Sequence, residues 1–247
     1  MDRLIYVAMS AANHTLTQQA TVAHNLANIT TAGFRAETTV FRAVPVTGDG
    51  LPTRTFVVGS TPGADFTPGA IETTGRDLDV AIQGKGWIAV QAADGSEAYT
   101  RAGSLQVNTN GVLTTRAGNV VVGDSGPLSV PTEARVTIAN DGTVSTVPNT
   151  NLLNNSSVAG RIKLVNPPDS SLVRGGDGLF RTANGIAAPA DSNVQLVSGA
   201  VEASNVNPVD GMINMIALAR QFDMQMKMLQ SAETNSQQAA QLLSLPA

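Results

Sequence analysis

Apolar residues recur at heptad spacing at both ends of this chain, and the long stretch between them lacks that pattern. Near the N-terminus, intervals of three and four residues alternate through Ile5, Met9, Ala12, Leu16, Gln19, Ala23 and Leu26. Near the C-terminus they alternate through Met212, Met215, Ala219, Phe222, Met226 and Leu229. Such spacing places one stripe along one face of an α-helix. We predict two terminal helices that form a coiled-coil-like pair and serve assembly rather than a pocket.

The N-terminal stripe predicts one long helix. Between Arg3 and Asn28 the sequence contains no proline or glycine, so we expect the helix to cover about that range. Gly33 follows a few residues later and is suited to a left-handed backbone conformation, with Phe34 packing back.

The C-terminal stripe predicts a second helix with a defined start. Asn207 can cap this helix, Pro208 suits its first position, and the helix should continue to about Ser244. Its five methionines either fill a core or pack adaptably at an interface. Isolated helices are marginal in water, and both of these contain mediocre helix formers. We therefore expect the terminal helices to be loosely ordered in a monomer and to gain order on association.

Residues 76–203 have the character of β-structure. Short β-branched segments are predicted as strands around residue 81 and at Ser104–Val107, Val120–Val122, Val136–Ile138, Arg161–Val165 and Val194–Val197. Turn pairs favour tight hairpins at Asp94-Gly95, Asn110-Gly111, Asp141-Gly142, Asp177-Gly178 and Asn184-Gly185. No alternation of strands with helices occurs, so we predict an α+β fold with a central, mainly antiparallel β-domain between the terminal helices.

Four segments follow from these patterns. We expect the N-terminal helix of an assembly domain in residues 1–35 and an extended linker or small β region in residues 36–75. The β-domain should occupy residues 76–203, and the C-terminal helix of the assembly domain residues 204–247. Prolines and glycines punctuate the linker and argue against helix there.

Composition excludes several classes of function. The net charge is −4 without a long basic run, which argues against nucleic acid as a partner. The chain has no cysteine, so it carries no disulfide, thiol nucleophile or zinc–thiolate site. No apolar run is long enough for a transmembrane segment. The segment from Leu4 to Ala12 resembles a short signal-peptide core, but cleavage there would cut the predicted helix, so we expect the N-terminus to be retained.

Candidate catalytic and metal-binding residues are few. His14 and His24 are ten residues apart and cannot form an i, i+4 metal pair, so we expect surface or interface roles. Asp77 and Asp79 should share a strand face and could act as an acid–base pair or bind calcium, but the adjacent Arg76 favours a structural role. The sequence from Gly84 to Gly86 lacks the rest of a phosphate-binding loop and is interpreted as a turn. We predict no enzyme, cofactor or metal.

Four motifs, in order along the chain, resemble those of bacterial flagellar rod and hook proteins. Together they are highly specific, whereas each alone would be weak. They are the segment 25–34 with Asn25, Leu26, Asn28, Gly33 and Phe34; the segment 78–87 with Asp79, Gly84 and Gly86; the segment 99–104 followed by Asn110-Gly111; and the segment 204–209 with Asn205 and Asn207.

Within that family, the chain is most similar to the proximal rod proteins. The opening six residues, the Leu51–Thr55 stretch and Gln225-Met226-Lys227 carry this similarity. Trp87 supports the assignment, because distal rod and hook relatives usually have Phe there. The distal rod protein remains the close alternative.

The resemblance implies a structural subunit of the flagellar basal-body rod. It further implies export without a cleaved signal through the flagellar type III apparatus, assembly in the periplasm into a tubular, helical hetero-oligomer, and contacts with proximal rod subunits and the distal rod protein. From the stripes we hypothesise a subunit interface at Ile5, Met9, Ala12, Leu16, Ala23, Leu26, Met212, Met215, Ala219, Phe222, Met226 and Leu229.

A β-domain that binds or cleaves cell-wall glycan is the alternative from another class. Such a domain needs an aromatic platform or a carboxylate pair in a groove. Aromatic residues make up only 4% of the chain, and Trp87 is the sole tryptophan. This composition disfavours the glycan hypothesis.

Overall fold

A computed structural model describes residues 2–45, 55–59, 63–132, 134–148 and 156–243. Residues 51–54 of the Leu51–Thr55 stretch and the helix end predicted at Ser244 lie outside the described residues. The chain folds into two compact units. The first contains Met1–Ala27, Glu37–Gly63 and Asn207–Ala247, and the second contains Asn28–Ala36 and Ala64–Val206.

The first unit is built on the two terminal helices, which pack against each other as predicted. Helix α1 covers Asp2–Ala27, and helix α2 covers Pro208–Leu243. Between them lie the short strand β1 (Glu37–Thr38) and a hairpin of β2 (Phe41–Pro45) and β3 (Thr55–Gly59), in which Phe41 is opposite Gly59. Strand β4 (Gly63–Ala64) lies where the chain passes from the first unit to the second.

The second unit is a β-domain of sixteen short strands in its described residues. A 3₁₀ turn at Asp169–Ser171 interrupts them. In chain order the strands are β5 (Ile71–Thr73), β6 (Val80–Gln83), β7 (Trp87–Gln91), β8 (Glu97–Thr100), β9 (Leu105–Val107), β10 (Leu113–Thr115), β11 (Val120–Gly123), β12 (Gly126–Pro127), β13 (Ala134–Ile138), β14 (Thr143–Pro148), β15 (Ser157–Arg161), β16 (Leu164–Val165), β17 (Leu172–Arg174), β18 (Phe180–Thr182), β19 (Gln195–Ser198) and β20 (Ala200–Glu202).

The largest sheet has nine strands, with a main order of β17-β18-β8-β7-β11-β10-β9. Strand β12 pairs with β11, and β16 pairs with β7. A second sheet has the order β13-β14-β15, and two further pairs join β19 to β6 and β20 to β5. All of these pairings are antiparallel, which confirms the predicted fold class.

The core of the β-domain lies on both faces of β7. Trp87 and Ala89 belong to one apolar cluster, with Tyr99 and Phe180. Ile88 and Val90 point the other way, since successive side chains of a strand alternate, and they join the larger cluster. That cluster also contains Val80, Ile82, Leu105, Leu113, Val121, Val136, Ile138, Val144, Ile162, Leu164 and Leu196.

The predicted turns are confirmed, because every glycine of the five turn pairs has a positive φ between 68° and 87°. The prediction of one strand at Arg161–Val165 is wrong. Strand β15 ends at Arg161 in the three-stranded sheet, and β16 begins at Leu164 in the nine-stranded sheet. The segment therefore changes sheets, which local β-propensity cannot reveal.

Candidate assembly surface on the terminal helices

The two terminal helices run antiparallel. Leu26 at the end of α1 lies beside Gly211 at the start of α2, where an added Cβ would be 3.9 Å from Leu26 Cδ1. Half-way along α1, Thr15 contacts Gln225. Near the start of α1, Tyr6 and Met9 line the same groove as Leu229. The helices at opposite ends of the sequence thus form one helical hairpin.

The start of α2 has the predicted cap. The side-chain oxygen of Asn207 accepts hydrogen bonds from the backbone N–H groups of Val209, at 3.0 Å, and Asp210, at 3.4 Å. The Asn207 amide in turn donates to Asp210 Oδ2 at 2.8 Å. These contacts satisfy backbone donors that the first turn of a helix leaves unpaired, so the helix begins at Pro208.

Small or polar side chains form the buried seam between the helices. Ala8, Ala12 and Thr15 are buried on α1, and Gln225 and Ala232 are buried on α2. The Thr15 hydroxyl contacts Ala11 O at 2.9 Å and Gln225 Oε1 at 3.2 Å, so a polar contact lies inside the seam. Sequence reasoning missed this pair, because Thr15 and Gln225 both lie outside the apolar stripes.

Several large side chains of the predicted stripes remain exposed. Met9 is 56% exposed and Leu16 47%. Of the hypothesised interface residues, Ala12 is buried; Ile5, Leu26, Met215, Ala219, Phe222 and Leu229 are half-buried; and Met9, Leu16, Ala23, Met212 and Met226 are exposed. The helices of a single copy therefore cover only part of this apolar surface.

An apolar groove of about 570 Å³ opens along the helical hairpin. It is lined by Tyr6, Met9, Ser10, Ala12, Asn13, Leu16, Met226 and Leu229. None of these side chains carries a charge. A groove of this kind suits an apolar segment rather than an ionic ligand.

Both histidines of the chain contact the β segment that follows α1. His14 Nε2 is 2.8 Å from Val57 O, and its ring meets Phe41 edge-on at 5.2 Å between centroids. His24 Nδ1 is 3.2 Å from a carboxylate oxygen of Glu37. The neighbouring Asn25 bonds both the N–H and the carbonyl of Glu37, at 2.8 and 2.9 Å. Among the described residues, no group of three metal-ligating side chains comes together.

Asn28, Gly33 and Phe34, the other residues of the first motif, lie in the second unit, the β-domain. Asn28 O accepts a hydrogen bond from Thr31 N–H at 3.1 Å. Gly33 has a φ of +69°, as predicted, and a Cβ there would lie 2.2 Å from the carbonyl carbon of Arg101. Phe34 is buried, with the Arg174 guanidinium 4.7 Å from the centre of its ring. Gly33 must therefore be glycine for reasons of both conformation and space.

Asn205 joins three chain segments of the β-domain. Its side-chain oxygen accepts a hydrogen bond from Ala36 N–H at 2.7 Å. Its amide donates to Asp65 O and Thr67 O, each at 3.0 Å. The Asn205 side chain thus pairs with backbone N–H and C=O groups, as the backbone of a neighbouring strand would.

A buried ionic cluster centred on Glu202 was not predicted. One Glu202 carboxylate oxygen lies 2.6 Å from Arg35 Nη2, and the other lies 2.9 Å from Arg101 Nη1. Gly69 N–H donates to the same carboxylate at 2.9 Å, and Gly33 N–H donates to Glu202 O at 2.7 Å. Burial lowers the pKa of Arg101, and the Glu202 carboxylate opposes that shift. No local sequence signal pairs residues so far apart.

The prediction that Asp77 and Asp79 share a strand face is wrong. Asp77 lies in a turn and pairs with Arg135 Nη2 at 2.8 Å. Asp79 is buried and accepts hydrogen bonds from Thr74 Oγ1, at 2.8 Å, and Ser104 Oγ, at 3.1 Å. The two carboxylates have separate structural partners, because the chain turns before the extended segment begins.

The segment from Gly84 to Gly86 is the turn between β6 and β7, as predicted. Gly84 has a φ of +81° and Gly86 of +134°. Trp87, directly after this turn, is buried against Phe180 with ring centroids 4.7 Å apart. The tryptophan therefore belongs to the core and does not provide a glycan-binding platform.

Family models match three parts of the chain. The model described as "Flagella basal body rod protein" matches residues 5–35. "Flagellar hook protein FlgE/F/G D1 domain" matches residues 81–146, and "Flagellar basal body rod FlgEFG protein C-terminal" matches residues 197–242. The matches cover the terminal helices and part of the β-domain.

Relatives extend over the full length of the chain. It is 51% identical to flagellar basal-body rod protein FlgF of Escherichia coli strain K12, over 99% of this chain and 100% of the relative. Identity to FlgF of Salmonella typhimurium is 49% over the same shares. Identity to rod protein FlgG of Bacillus subtilis is 29%, over 98% of this chain and 99% of the relative. Within the described residues, no helix is long and apolar enough to cross a membrane.

Proposed function

The chain belongs to the FlgF family of proximal flagellar basal-body rod proteins and is a structural rod subunit, and on that premise we propose how it assembles. The helical hairpin of α1 and α2 is the surface through which the subunit joins its neighbours. Of the twelve hypothesised residues of the two stripes, from Ile5 to Leu229, the eleven that are exposed or half-buried make those contacts, whereas Ala12 packs in the seam.

One observation carries this proposal: the helical hairpin exposes large apolar side chains while burying only small or polar ones. In the described part of the first unit, every buried side chain is Ala, Thr or Gln. Tyr6, Met9 and Leu16 meanwhile face solvent. Exposed apolar surface of this extent is typical of a protein–protein interface. Neighbouring rod subunits would cover the apolar side chains that a single copy leaves exposed.

The chemistry of the surface supports repeated packing. Charged residues are 14% of the chain, against about 25% in average globular domains, which limits repulsion between neighbouring subunits. A head-to-tail contact that does not close on itself produces a helical filament. A tubular drive shaft is an assembly of that kind.

We further propose the cellular setting. The subunit reaches the rod through the flagellar type III export apparatus with α1 retained, and it takes its place in the periplasm beside proximal rod subunits and the distal rod protein. Retention of α1 is supported by Ala8 and Ala12, which lie in the buried seam with α2. The subunit acts without enzymatic activity, cofactor or metal.

Substitution of Leu16 by Asp tests the proposed surface. Leu16 is nearly half exposed, so a carboxylate there should leave the subunit folded but place a charge in the subunit contact. We expect rod growth to be lost, as scored by motility and by electron microscopy of isolated basal bodies. Phe222→Asp should have the same effect on α2.

Thr17→Asp is the matched control, since Thr17 is an exposed neighbour on α1 outside the stripe. Circular dichroism of each purified variant should show an unchanged β-domain. Normal rods with Leu16→Asp and Phe222→Asp would refute the proposed surface. Equal loss of rods with Thr17→Asp would also refute it.

A further inference from the structure

The chain segments next to the two terminal helices meet inside the β-domain. Gly33 N–H donates a hydrogen bond to Glu202 O at 2.7 Å, and Asn205 N–H donates to Phe34 O at 3.3 Å. The side-chain oxygen of Asn205 accepts another from Ala36 N–H at 2.7 Å. We call the contacts among these five residues, all of which belong to the second unit, the junction. The junction joins the chain that follows α1 to the chain that leads into α2.

Other contacts of the β-domain hold the junction in place. Arg35 Nη2 and Arg101 Nη1 lie 2.6 and 2.9 Å from the two carboxylate oxygens of Glu202, and the Arg35 side chain is fully buried. Arg174 Nη1 donates to Arg35 O at 2.7 Å. Gly69 N–H donates to the Glu202 carboxylate at 2.9 Å. Since none of these contacts uses a residue of α1 or α2, they do not depend on the pairing of the helices.

Short connections separate the junction from the helices. Helix α1 ends at Ala27, close to Gly33, and helix α2 begins at Pro208, close to Asn205. Contact between the end of α1 and the start of α2 therefore closes a loop of only about 14 residues that passes through the junction. A short loop loses less conformational entropy on closure than a long one.

Without the junction, the same helix contact closes a longer loop. The hydrogen bond from Asn205 Nδ2 to Asp65 O, at 3.0 Å, would then connect the two sides of the chain. The loop through this bond is about 45 residues long, and its closure is roughly sixfold less probable, because closure probability falls with about the 3/2 power of loop length. The junction thus raises the probability that the two helices meet.

We infer that the junction is a conformational device that keeps the adjoining ends of α1 and α2 beside each other and so favours their pairing within one copy. When the helical hairpin opens, the junction stays closed, because its hydrogen bonds and ion pairs lie within the β-domain. The helices can therefore separate and pair again without a search over the whole chain. The inference goes beyond the proposed function, since it concerns a single copy and does not depend on which helix residues contact neighbouring subunits.

Gly33 allows the junction to be opened without stranding a buried charge. Its φ is +69°, and an added Cβ would lie 2.2 Å from the carbonyl carbon of Arg101, so Gly33→Val does not fit. Residues 33–36 then leave the β-domain and take Arg35 into solvent. Glu202 keeps its ion pair with Arg101, so the carboxylate still has a counterion.

Gly185→Val is the matched control for Gly33→Val. The φ of Gly185 is +68°, so the substitution brings the same backbone strain. No atom of the described residues lies within 4 Å of a Cβ added there, so the substitution causes no clash. Any difference between the two variants therefore reports on the junction.

A disulfide between the helix ends measures their pairing in the full chain, which has no cysteine of its own. Leu26→Cys and Gly211→Cys are introduced together, because a Cβ at Gly211 lies 3.9 Å from Leu26 Cδ1. Equilibration of the dilute monomer with glutathione gives the effective concentration of the two thiols. We expect Gly33→Val to lower this effective concentration roughly sixfold, the ratio of the two closure probabilities, and Gly185→Val to leave it unchanged. Trp87 fluorescence and circular dichroism report whether the β-domain stays folded.

An unchanged effective concentration in a folded Gly33→Val variant would overturn the inference, and so would an equal fall with Gly185→Val. If Gly33→Val unfolds the β-domain, Asn205→Ala decides instead. It should lower the effective concentration, because it removes the bond to Ala36 N–H. Asn108→Ala is its control, since the Asn108 side chain accepts hydrogen bonds only within its own turn among the described residues. Equal effects of these two alanine variants would also overturn the inference, while rod growth with Leu16→Asp tests the proposed function separately.

Discussion

At the scale of single residues, Glu202 is the centre of a buried ionic cluster in the β-domain. Its carboxylate is almost fully buried between two arginines and accepts a hydrogen bond from Gly69 N–H, and its backbone carbonyl accepts one from Gly33 N–H. Arg35 lies in the segment that follows α1, and Glu202 lies in the segment that leads into α2. Their ion pair therefore joins these two segments within the β-domain. Removal of the Glu202 carboxylate leaves Arg35 and Arg101 as buried charges without a counterion.

We predict that Glu202→Gln lowers the free energy of unfolding of the β-domain by about 3–5 kcal/mol, the usual cost of breaking a buried ion pair. Urea denaturation followed by Trp87 fluorescence measures this change. Asp77→Asn is the control, because it removes an ion pair that is largely exposed, and little change is expected. Equal effects of the two substitutions would contradict the structural importance of the Glu202 cluster.

Thr15 is one of the two buried polar residues of the helix seam in the described part of the chain. Thr15→Val keeps the shape but removes the hydroxyl that contacts Gln225, and so leaves a buried amide oxygen unpaired. We expect a loss of about 1–3 kcal/mol in the stability of the helical hairpin. Hydrogen exchange of α1 and α2 amides reports on that unit.

Thr17→Val provides the comparison for Thr15→Val. Among the residues that the structure describes, the Thr17 hydroxyl bonds only to Asn13 O of its own helix, and Thr17 is exposed. Its loss should change stability by less than about 0.5 kcal/mol. If Thr15→Val lowers the stability of the helical hairpin as little as Thr17→Val does, the polar contact in the seam does not contribute to that stability.

At the scale of elements, aspartates stabilise three of the hairpin turns. Hydrogen bonds from Ser96 lower the pKa of Asp94, bonds from Thr143 lower that of Asp141, and bonds from Arg181 and Leu179 lower that of Asp177. A carboxyl with a lower pKa in the folded state binds protons more tightly in the unfolded chain. Its stabilising effect is complete above the ordinary value of 3.8 and is lost as the pH falls through the folded pKa.

We therefore predict that the β-domain loses stability as the pH drops below about 4. Replacing Asp94, Asp141 and Asp177 together by Asn keeps side-chain acceptors in the turns but removes the titration. Thermal unfolding at several pH values should give a flatter acid profile for this triple variant. Asp223→Asn on the surface of α2 is the control and should retain the steep profile. An unchanged profile for the triple variant would show that these turns do not cause the loss of stability at low pH.

At the scale of the whole molecule, the two units differ in what they bury. The β-domain encloses large side chains such as Ile88, Leu105 and Leu113. The helical unit, in its described residues, buries only alanine, threonine and glutamine. Because burial of apolar area supplies most of the stability of a fold, the helical unit should open more readily.

We predict that thermolysin cleaves the monomer first within α1 and α2 and leaves a resistant fragment close to residues 64–206. The same helices should be protected in assembled rods, where neighbours cover the exposed apolar residues. Mass spectrometry of a digestion time course identifies the cleavage sites. Cleavage of the β-domain before the helices in the monomer would contradict the proposed gain of order on association.

The sequence by itself determined the features that depend on near neighbours. Heptad spacing defined both terminal helices, Asn207 and Pro208 marked the start of α2, and the turn glycines marked the hairpins of an antiparallel β-domain. Each of these signals acts within a few residues, so it can be interpreted without knowledge of the fold. The four motifs also identified the family.

Only the tertiary structure decided which distant residues meet. On α1, Ala8, Ala12 and Thr15 lie in the seam, whereas Met9 and Leu16 of the N-terminal stripe stay exposed. Glu202 gathers arginines from positions 35 and 101, and the segment after Arg161 changes sheets. Periodicity shows which side chains share a face, but which face is covered depends on how separate elements pack, and that is a property of the whole fold.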